Sequence, residues 1–369
     1  MVKVNPHYKR IKREVIFPII EEKLKAFDGE VINLGVGDVA LPLPFDVAQT
    51  ISACMVEMTR TPIGYGPAEG YLFLRDAIRE SYGAVELDVD EIFISDGINT
   101  DLANIYDLFD PNIVVASVDP GYPVFGDTGL MGGKTLIKLP CLKEHGFIPQ
   151  PPKEHVDVIY LCSPGNPTGV AMTYSDLKMW IDYAKEHEAI ILFDGAYADF
   201  IRSEDVPKSI YELEGAKDVA IEMRSFSKSA GFTGLRCSYS VIPKQTGLTK
   251  MWKQRQSTKY NGCAYPIQRG AYAALKSEEA MAQVEKYLKC AEMLKEGLNA
   301  HGGIDSPYLW LEVPDGLTSW EYFDVLLNKH NILGIPGSGF GPSGEGYVRL
   351  SAFTTTENVN KVLERLYAH

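Results

Sequence analysis

The sequence predicts an α/β fold in which helices cover both faces of a mainly parallel β-sheet, followed by a small α+β domain. Between residues 42 and 243, apolar runs of strand length alternate with helical stretches such as residues 174–187. Three of these runs, residues 158–162, 189–193 and 218–223, are apolar enough for buried strands. This alternation is typical of a parallel sheet with crossover helices.

The carboxyl-terminal third has a different pattern. Residues 266–300 carry Ala, Leu, Glu and Lys at helical spacing, which predicts one long helix. Short strand patterns at residues 308–313 and around Val348 flank a helix predicted over residues 319–330. We therefore predict an amino-terminal arm that joins the small domain (1–41), a large cofactor domain (42–245) and a small domain with the linking helix (246–369).

Composition limits the classes of protein to which the chain can belong. With 369 residues, 45% of them hydrophobic, it can bury a large core. A net charge of −13 argues against a nucleic-acid or anionic membrane surface, because both need clustered positive charge. The six cysteines form no Cys-x-x-Cys pair or Cys/His cluster and predict no metal site. No apolar run approaches transmembrane length, so we expect a cytoplasmic protein.

Residues 225–236, SFSKSAGFTGLR, combine hydroxyls, a lysine, glycines and an arginine. A lysine has an unperturbed pKa of about 10.4, so its chemistry at neutral pH needs a lowered pKa or conversion to an imine. Ser225 and Ser227 can donate hydrogen bonds to a phosphate that Arg236 clamps. Pyridoxal 5′-phosphate carries both a phosphate and an aldehyde for Lys228, and we predict it as the cofactor.

Two strand ends supply partners for this lysine. The run at residues 189–193 ends on Asp194, and catalytic groups belong at such carboxyl ends. A buried carboxylate here can keep a pyridine nitrogen protonated, and Tyr197 can reach the ring hydroxyl. The run at residues 158–162 leads into Ser-Pro-Gly-Asn-Pro-Thr-Gly, a rigid turn from which Asn166 can offer its amide to the same hydroxyl.

In this order, the three segments resemble the fold-type I pyridoxal-phosphate aminotransferases, which have a seven-stranded large sheet. The resemblance runs from Asn5 to the last helix and is closest to the LL-diaminopimelate aminotransferases. The segments that carry the closer match are 32–38 (INLGVGD), 64–66 (GYG), 209–212 (SIYE), 225–236, 307–310 (PYLW) and 336–342 (PGSGFGP).

The resemblance implies roles around the cofactor. Lys228 would form the imine and later move the proton at Cα, and Asp194 would pair with the pyridinium. Asn166 and Tyr197 would bind the ring oxygen, while Tyr122 would stack on the ring face. A helix start offers further phosphate donors. The phosphate residues would be Gly97, Ile98, Asn99, Ser225, Ser227, Arg236 and Tyr65.

The resemblance also implies a homodimer with shared active sites. Tyr65 and Asn261 match positions that reach the site from the partner subunit or its edge. Arg349, on a short alternating strand, would bind the substrate α-carboxylate through two charge-assisted hydrogen bonds. The substrate-binding residues would be Arg349, Asn166, Gly37, Asn261 and Tyr122.

The reaction implied is amino transfer from an L-amino acid to a 2-oxo acid, which is 2-oxoglutarate in most relatives. We expect LL-diaminopimelate as the donor, a substrate of lysine biosynthesis. Two positions depart from that family's pattern. Ala68 stands where the family has an acidic residue, with Glu69 one step displaced, and Val15 falls where it has a tyrosine. Either Glu69 takes over the role or the enzyme acts on another amino acid.

Three alternatives stay open. The same fold and cofactor serve aminotransferases for aromatic, acidic or basic amino acids and Cβ–Sβ lyases. A cofactor-binding regulator is a second alternative, although no fused DNA-binding module is visible. A nicotinamide-dependent dehydrogenase is the third, but no Gly-x-Gly-x-x-Gly lies between a first strand and a helix.

Overall fold

The structure is a computed structural model that describes residues 2–11 and 16–367. Its strands are β1 (Ile32–Asn33), β2 (Ile92–Ser95), β3 (Val114–Asp119), β4 (Thr135–Pro140), β5 (Val158–Cys162), β6 (Ile190–Asp194), β7 (Ala220–Ser225), β8 (Ser238–Val241), β9 (His301–Gly302), β10 (Tyr308–Glu312), β11 (Ile332–Leu333), β12 (Ile335–Pro336) and β13 (Tyr347–Ser351).

Helices separate most of these strands. The α-helices are α1 (Ile16–Lys25), α2 (Phe45–Met58), α3 (Leu72–Ser81), α4 (Ile98–Asn104), α5 (Val124–Met131), α6 (Tyr174–Glu186), α7 (Ala216–Val219), α8 (Phe226–Ser229), α9 (Thr249–Arg255), α10 (Tyr265–Ala274), α11 (Glu278–Leu298), α12 (Ser319–His330) and α13 (Thr356–Tyr367). None of them is long and apolar enough to cross a membrane.

Seven strands form the large sheet in the order β2-β8-β7-β6-β5-β3-β4. Strand β8 is antiparallel to both of its neighbours. The other pairs are parallel. Every residue of β5 is buried, as expected for a strand covered by helices on both faces. The predicted α/β fold with a mainly parallel, seven-stranded sheet is confirmed.

The register of this sheet brings three chain segments to one edge. Cys162 at the end of β5 lies beside Asp194 at the end of β6, and Asp194 lies beside Met223 of β7. Because the three strands are parallel, their carboxyl ends point the same way. The turn that contains Asn166 and the helix α8 that contains Lys228 therefore start next to Asp194.

A second, smaller sheet has the order β12-β13-β10-β9 and packs over its own apolar core. In it, Trp310 of β10 pairs with Arg349 of β13. The amino-terminal strand β1 pairs with β11, with Ile32 beside Ile332. The amino-terminal segment thus pairs with a strand of the carboxyl-terminal part.

The prediction of one long helix over residues 266–300 is wrong, because two helices, α10 and α11, occupy this stretch. The Ser277 Oγ accepts a hydrogen bond from the Ala280 amide at 3.1 Å and so begins α11. The same hydroxyl donates to Asp46 Oδ1 at 2.9 Å. This second contact crosses to α2, which periodicity along residues 266–300 does not encode.

Two strand predictions also differ from the structure. Asp218 and Val219 belong to α7, so β7 begins only at Ala220. The predicted alternation around Arg349 is absent, since four of the five β13 residues are buried. Strand β13 lies between β10 and β12. Its arginine is consequently a buried charge rather than one on a solvated face.

The strands of the large sheet fall between residues 92 and 241, and those of the smaller sheets in residues 32–33 and 301–351. This distribution is compatible with the predicted division at residues 41/42 and 245/246. The boundaries themselves stay a prediction.

Candidate active site

A cavity of about 350 Å³ lies at the edge of the large sheet where β5, β6 and β7 end. The small sheet contributes to its wall through Tyr308 and Arg349. The cavity brings together most of the side chains predicted from the sequence, which are Gly37, Ile98, Asn99, Tyr122, Asn166, Asp194, Tyr197, Ser225, Ser227, Lys228, Arg236 and Arg349. Gly97, Tyr65 and Asn261 do not line it.

Lys228 lies in α8, directly after β7, and its amine points into the cavity. Burial lowers the pKa of Lys228 to about 8, with Arg349 and Arg236 adding to the effect and Asp38 opposing it. The Nζ donates a hydrogen bond to the Gly37 carbonyl. About a tenth of the amine is then in the neutral, nucleophilic form at pH 7, far more than at the ordinary pKa of lysine.

Asp194 is the carboxylate at the floor of the cavity, 5% exposed. Its Oδ2 accepts a hydrogen bond from the Tyr160 hydroxyl at 2.8 Å, and its Oδ1 accepts one from the Ala196 amide at 3.0 Å. Burial raises the pKa of Asp194 to about 6, although both hydrogen bonds act in the opposite direction. Within the described residues no cation pairs with it, so a cationic ligand group would complete this end of the site.

Arg236 lies at the opposite end, close to the start of α4. Its backbone has a φ of 61°, in the left-handed region, and Nη1 donates to the Thr233 carbonyl at 3.0 Å. A Cβ at Gly97 would overlap its guanidinium, and Gly97 has a φ of 136°. Glycine is favoured there by this φ, and a side chain would force the guanidinium to move. Ile98 and Asn99, the first residues of α4, line the cavity beside it.

The Gly97 amide was expected to donate a hydrogen bond to the phosphate, but it has another acceptor. It donates to Ser238 Oγ at 3.0 Å and is already satisfied within the protein. The amides of Ile98 and Asn99 belong to the first helical turn, whose N–H groups have no intrahelical acceptor. Together with Ser225, Ser227 and Arg236, they form a surface suited to an anion.

Arg349 is a buried guanidinium, 4% exposed, on the small-sheet side of the cavity. Nη1 donates to Asn166 Oδ1 at 2.8 Å, and Nη2 donates to the Gly35 carbonyl at 2.6 Å. The Nε has no hydrogen-bond partner in the described structure. Burial lowers the pKa of Arg349, and none of the carboxylates described pairs with it. An uncompensated buried cation is costly, so this position favours an anionic ligand group.

The neighbouring side chains complete the walls. Because Asn166 Oδ1 accepts from Arg349, its Nδ2 is left as a donor toward the cavity. The Tyr122 hydroxyl donates to Asn99 Oδ1 at 3.0 Å. The Tyr197 and Tyr308 hydroxyls are 3.0 Å apart and share a hydrogen bond.

Sequence reasoning missed Tyr308 and Tyr160. Tyr308 belongs to the PYLW segment, and its hydroxyl would overlap a Cβ at residue 37, which explains the glycine there. Tyr160 was the one polar side chain in an apolar strand run. A buried tyrosine hydroxyl usually has a partner, and that was the available signal.

The two residues predicted to act across a dimer lie outside the cavity. Tyr65 is 92% exposed, and Asn261 has a φ of 66° in an exposed turn. Their loops are neighbours, because a Cβ at Gly262 would lie 3.0 Å from the Pro67 carbonyl oxygen. Both residues are thus on one face of the chain.

Ala68 and Glu69, two of the positions that the family pattern links to substrate choice, are next to these loops. Ala68 is partly buried. The carboxylate of Glu69 is 3.1 Å from Lys253 Nζ and 3.9 Å from an Arg75 nitrogen. Burial would raise the pKa of Glu69, but its hydrogen bonds and these cations outweigh burial and lower it. Glu69 is thus an ionised, paired side chain. Val15 lies outside the described residues.

The chain matches known proteins over nearly its whole length. The model of the family described as aminotransferase class I and II matches residues 29–366. The fold is similar to that of LL-diaminopimelate aminotransferase from Chlamydomonas reinhardtii, with 36% identity, a TM-score of 0.92 and coverage of 100% of this chain and 98% of that one. The aromatic aminotransferase from Pyrococcus horikoshii is similar at 26% identity, with a TM-score of 0.83 and coverage of 94% and 97%. The aspartate aminotransferase from Thermotoga maritima shares the fold at 21% identity, with a TM-score of 0.87 and coverage of 98% of each chain.

The fold and the cavity define a pyridoxal-phosphate enzyme of fold type I. More specifically, the chain belongs to the aminotransferase class I and II family, whose members act on amino acids and 2-oxo acids. The residues fit the cofactor, because an anion-binding surface, an amine and an unpaired carboxylate lie around one cavity of suitable size. The glycine that makes room for the Arg236 guanidinium is a second sign of a built phosphate cradle.

We predict that the covalent attachment of pyridoxal phosphate to the apoenzyme follows the titration of Lys228. The neutral amine attacks the aldehyde, so the rate should rise with pH and level off above a pH of about 8. Stopped-flow absorbance at the cofactor band measures this rate. Lys228→Ala should show no attachment, whereas Lys143→Ala, at an exposed lysine paired with Glu312, should match the wild type. A rate that still rises tenfold per pH unit at high pH would contradict the assignment.

Proposed function

We propose that this aminotransferase transfers an amino group from LL-diaminopimelate to 2-oxoglutarate, as an enzyme of lysine biosynthesis. The observation that carries the amino-acid chemistry is that one cavity contains both an amine with a lowered pKa, Lys228, and a buried guanidinium, Arg349, with which none of the described carboxylates pairs. A cytoplasmic location belongs to the same proposal and rests on composition alone.

Lys228 and Asp194 would have different roles in amino transfer. Pyridoxal phosphate, when bound, supplies an aldehyde that takes up an amine and a ring that accepts the electron pair left at Cα. Lys228 Nζ would take the proton from Cα and return it, and its lowered pKa keeps the proton-accepting form populated near neutral pH. Asp194 would keep the ring nitrogen protonated, where negative charge develops in the transition state.

The substrate carboxylate would be bound by Arg349, assisted by the amide of Asn166. The guanidinium is already oriented by Asn166 Oδ1 and the Gly35 carbonyl, so little ordering is needed when the substrate arrives. Its stacking between the rings of Tyr308 and Phe340, 4.6 and 4.8 Å from their centroids, restricts it further. Ser225, Ser227, Arg236 and the start of α4 would hold the cofactor phosphate.

The choice of diaminopimelate rests on the similarity to the enzyme from Chlamydomonas reinhardtii over the full length of the chain. A second candidate is an aminotransferase for another amino acid. It is favoured by Ala68, which stands where the diaminopimelate family has an acidic residue. The neighbouring Glu69 is paired with Lys253, so its carboxylate is not free to replace that acid.

A panel of amino donors with 2-oxoglutarate tests the substrate. We expect the highest kcat/KM for LL-diaminopimelate among its stereoisomers, lysine, aspartate and tyrosine. Glutamate is followed separately as a half-reaction at the cofactor absorbance band, because its exchange with 2-oxoglutarate gives no net product. If Glu69 recognises the distal end of diaminopimelate, Glu69→Gln should lower kcat/KM for that donor and leave the rate of the glutamate half-reaction unchanged. A preference for tyrosine or aspartate would reject diaminopimelate, and release of a thiol from a Cβ–Sβ substrate would favour a lyase.

We predict that Arg349→Ala lowers kcat/KM for the amino donor about 100-fold or more, mainly through a higher KM. The substrate loses two charge-assisted hydrogen bonds, each worth roughly 1.5–3 kcal/mol. Steady-state kinetics measures the loss, and the cofactor absorbance should stay as in the wild type. Arg79→Ala, at a surface arginine paired with Asp76, serves as the control and should change nothing. An unaltered KM in Arg349→Ala would reject this role.

We further propose a homodimer in which Tyr65 and Asn261 complete the site of the partner subunit. Supporting this, Tyr65 is almost fully exposed, and α2 leaves four large apolar side chains, Phe45, Met55, Val56 and Met58, 71%, 55%, 53% and 40% exposed. Several large apolar side chains exposed on one helix are consistent with an interface between proteins.

Subunit complementation tests the shared site. Tyr65→Ala and Lys228→Ala should each be severely impaired as pure enzymes. After mixed refolding, half of the dimers are hybrids, and each hybrid has one site with both native residues, so about a quarter of the wild-type activity should return. Lys228→Ala mixed with Asp194→Asn is the matched control, because both residues lie in the same subunit's cavity. Equal recovery in both mixtures would contradict the proposal.

A further inference from the structure

Tyr160 is the one hydroxyl among the described residues that donates to Asp194. It lies in the middle of β5, is fully buried, and donates to Asp194 Oδ2 at 2.8 Å. The register places Cys162 beside Asp194. Tyr160 is two residues before Cys162, so its side chain lies on the same face of the sheet as those of Cys162 and Asp194. The phenol thus reaches Asp194 from the sheet side.

The ring of Tyr160 is held by an aromatic stack. It stacks on Phe125, with centroids 5.4 Å apart and planes at 22°. Phe125 in turn stacks on Tyr106 at 5.0 Å and 16°. This column fixes the direction of the Tyr160 hydroxyl independently of the ligand. The donor is therefore in place before a cofactor binds.

Tyr160 keeps its phenol proton at neutral pH. Burial, reinforced by the charge of Asp194, raises the pKa of Tyr160 well above its usual range. The other titratable groups facing Asp194 are the Cys162 thiol and the Tyr197 phenol, and burial raises the pKa of both. They are neutral as well, so none of them competes with Tyr160 as the stabilising donor.

A buried carboxylate has two ways to interact with a ring nitrogen. It can accept a hydrogen bond from a protonated ring, or it can hold the proton itself and donate to a neutral ring. The outcome depends on which group is the stronger base. A hydrogen bond from a neutral donor favours the ionised carboxylate and weakens it as a base, so it leaves the proton on the ring.

We propose that Tyr160 is a positioning residue that keeps Asp194 ionised and oriented, so that the proton stays on the ring nitrogen of the bound cofactor. The inference rests on the proposed role of Asp194. It assigns to Tyr160 no contact with the substrate or with the reacting atoms. Its effect is on the electron-accepting power of the ring and not on substrate binding.

The test compares Tyr160→Phe with Tyr106→Phe in holoenzyme loaded with cofactor labelled with ¹⁵N in the ring. Both variants keep the aromatic stack and lose a hydroxyl that donates a hydrogen bond within the protein, since the partly buried Tyr106 donates to the Phe125 carbonyl at 2.7 Å. Only Tyr160 touches Asp194. We expect the ring-nitrogen resonance of Tyr160→Phe to move toward that of a neutral ring, with kcat lower by about tenfold and KM within twofold. Tyr106→Phe should keep the wild-type resonance.

The variant Asp194→Asn distinguishes a failure of the role of Tyr160 from a failure of the proposed role of Asp194. A shifted resonance in Asp194→Asn, with a wild-type resonance in Tyr160→Phe, overturns the role of Tyr160 alone. A wild-type resonance in Asp194→Asn rejects Asp194 as the partner of the ring. Equal shifts in Tyr160→Phe and Tyr106→Phe would assign the effect to packing and overturn the inference. If Tyr160→Phe does not fold, 3-fluorotyrosine at position 160, a stronger donor, must retain the protonated-ring resonance.

Discussion

The site depends on one constraint, the parallel register of β5, β6 and β7. This register places Cys162, Asp194 and Met223 side by side, so the segments that follow them begin within reach of one another. A turn, a carboxylate and a lysine-bearing helix then occupy one edge without any long loop to carry them. Helices on both faces exclude water from the strands, and the same exclusion shifts the pKa values of Lys228 and Asp194 in opposite directions.

Buried charge without an internal partner is the common property of this cavity. The hydrogen bonds that Arg349 and Asp194 form are with neutral groups, and neither side chain forms an ion pair within the described structure. The contact between Arg224 and Glu222 at 2.7 Å shows the contrasting case, in which a buried carboxylate is paired with a cation. The free energy spent on keeping unpaired charges buried is recovered when a ligand with complementary charges enters. Such an arrangement serves binding more than stability.

The sequence alone predicted the strands and helices whose ends are set by local pattern. Strand β5 and helix α12 begin and end where apolar runs and helical periodicity predict, and most of the cavity residues follow strand ends. What it did not reveal depends on contacts between distant segments. The break before α11 involves a hydrogen bond from Ser277 to Asp46, and the Gly97 amide is used by Ser238. No periodicity encodes such pairings, because each partner looks ordinary in its own segment.

The contacts of Arg349 connect three separate segments of the chain. Its strand belongs to the small sheet, its Nη2 bonds to the amino-terminal Gly35, and its Nη1 bonds to Asn166 of the large-sheet turn. If Arg349 binds the substrate carboxylate, as proposed above, three separate stretches of chain must assemble before an amino acid can be recognised. The lysine, the carboxylate and the cavity residues proposed for the phosphate all come from residues 97–236. On the same proposal, a fragment limited to the large sheet would keep the groups for the cofactor and lose selectivity for amino acids, so cofactor binding and substrate choice would depend on different parts of the polypeptide.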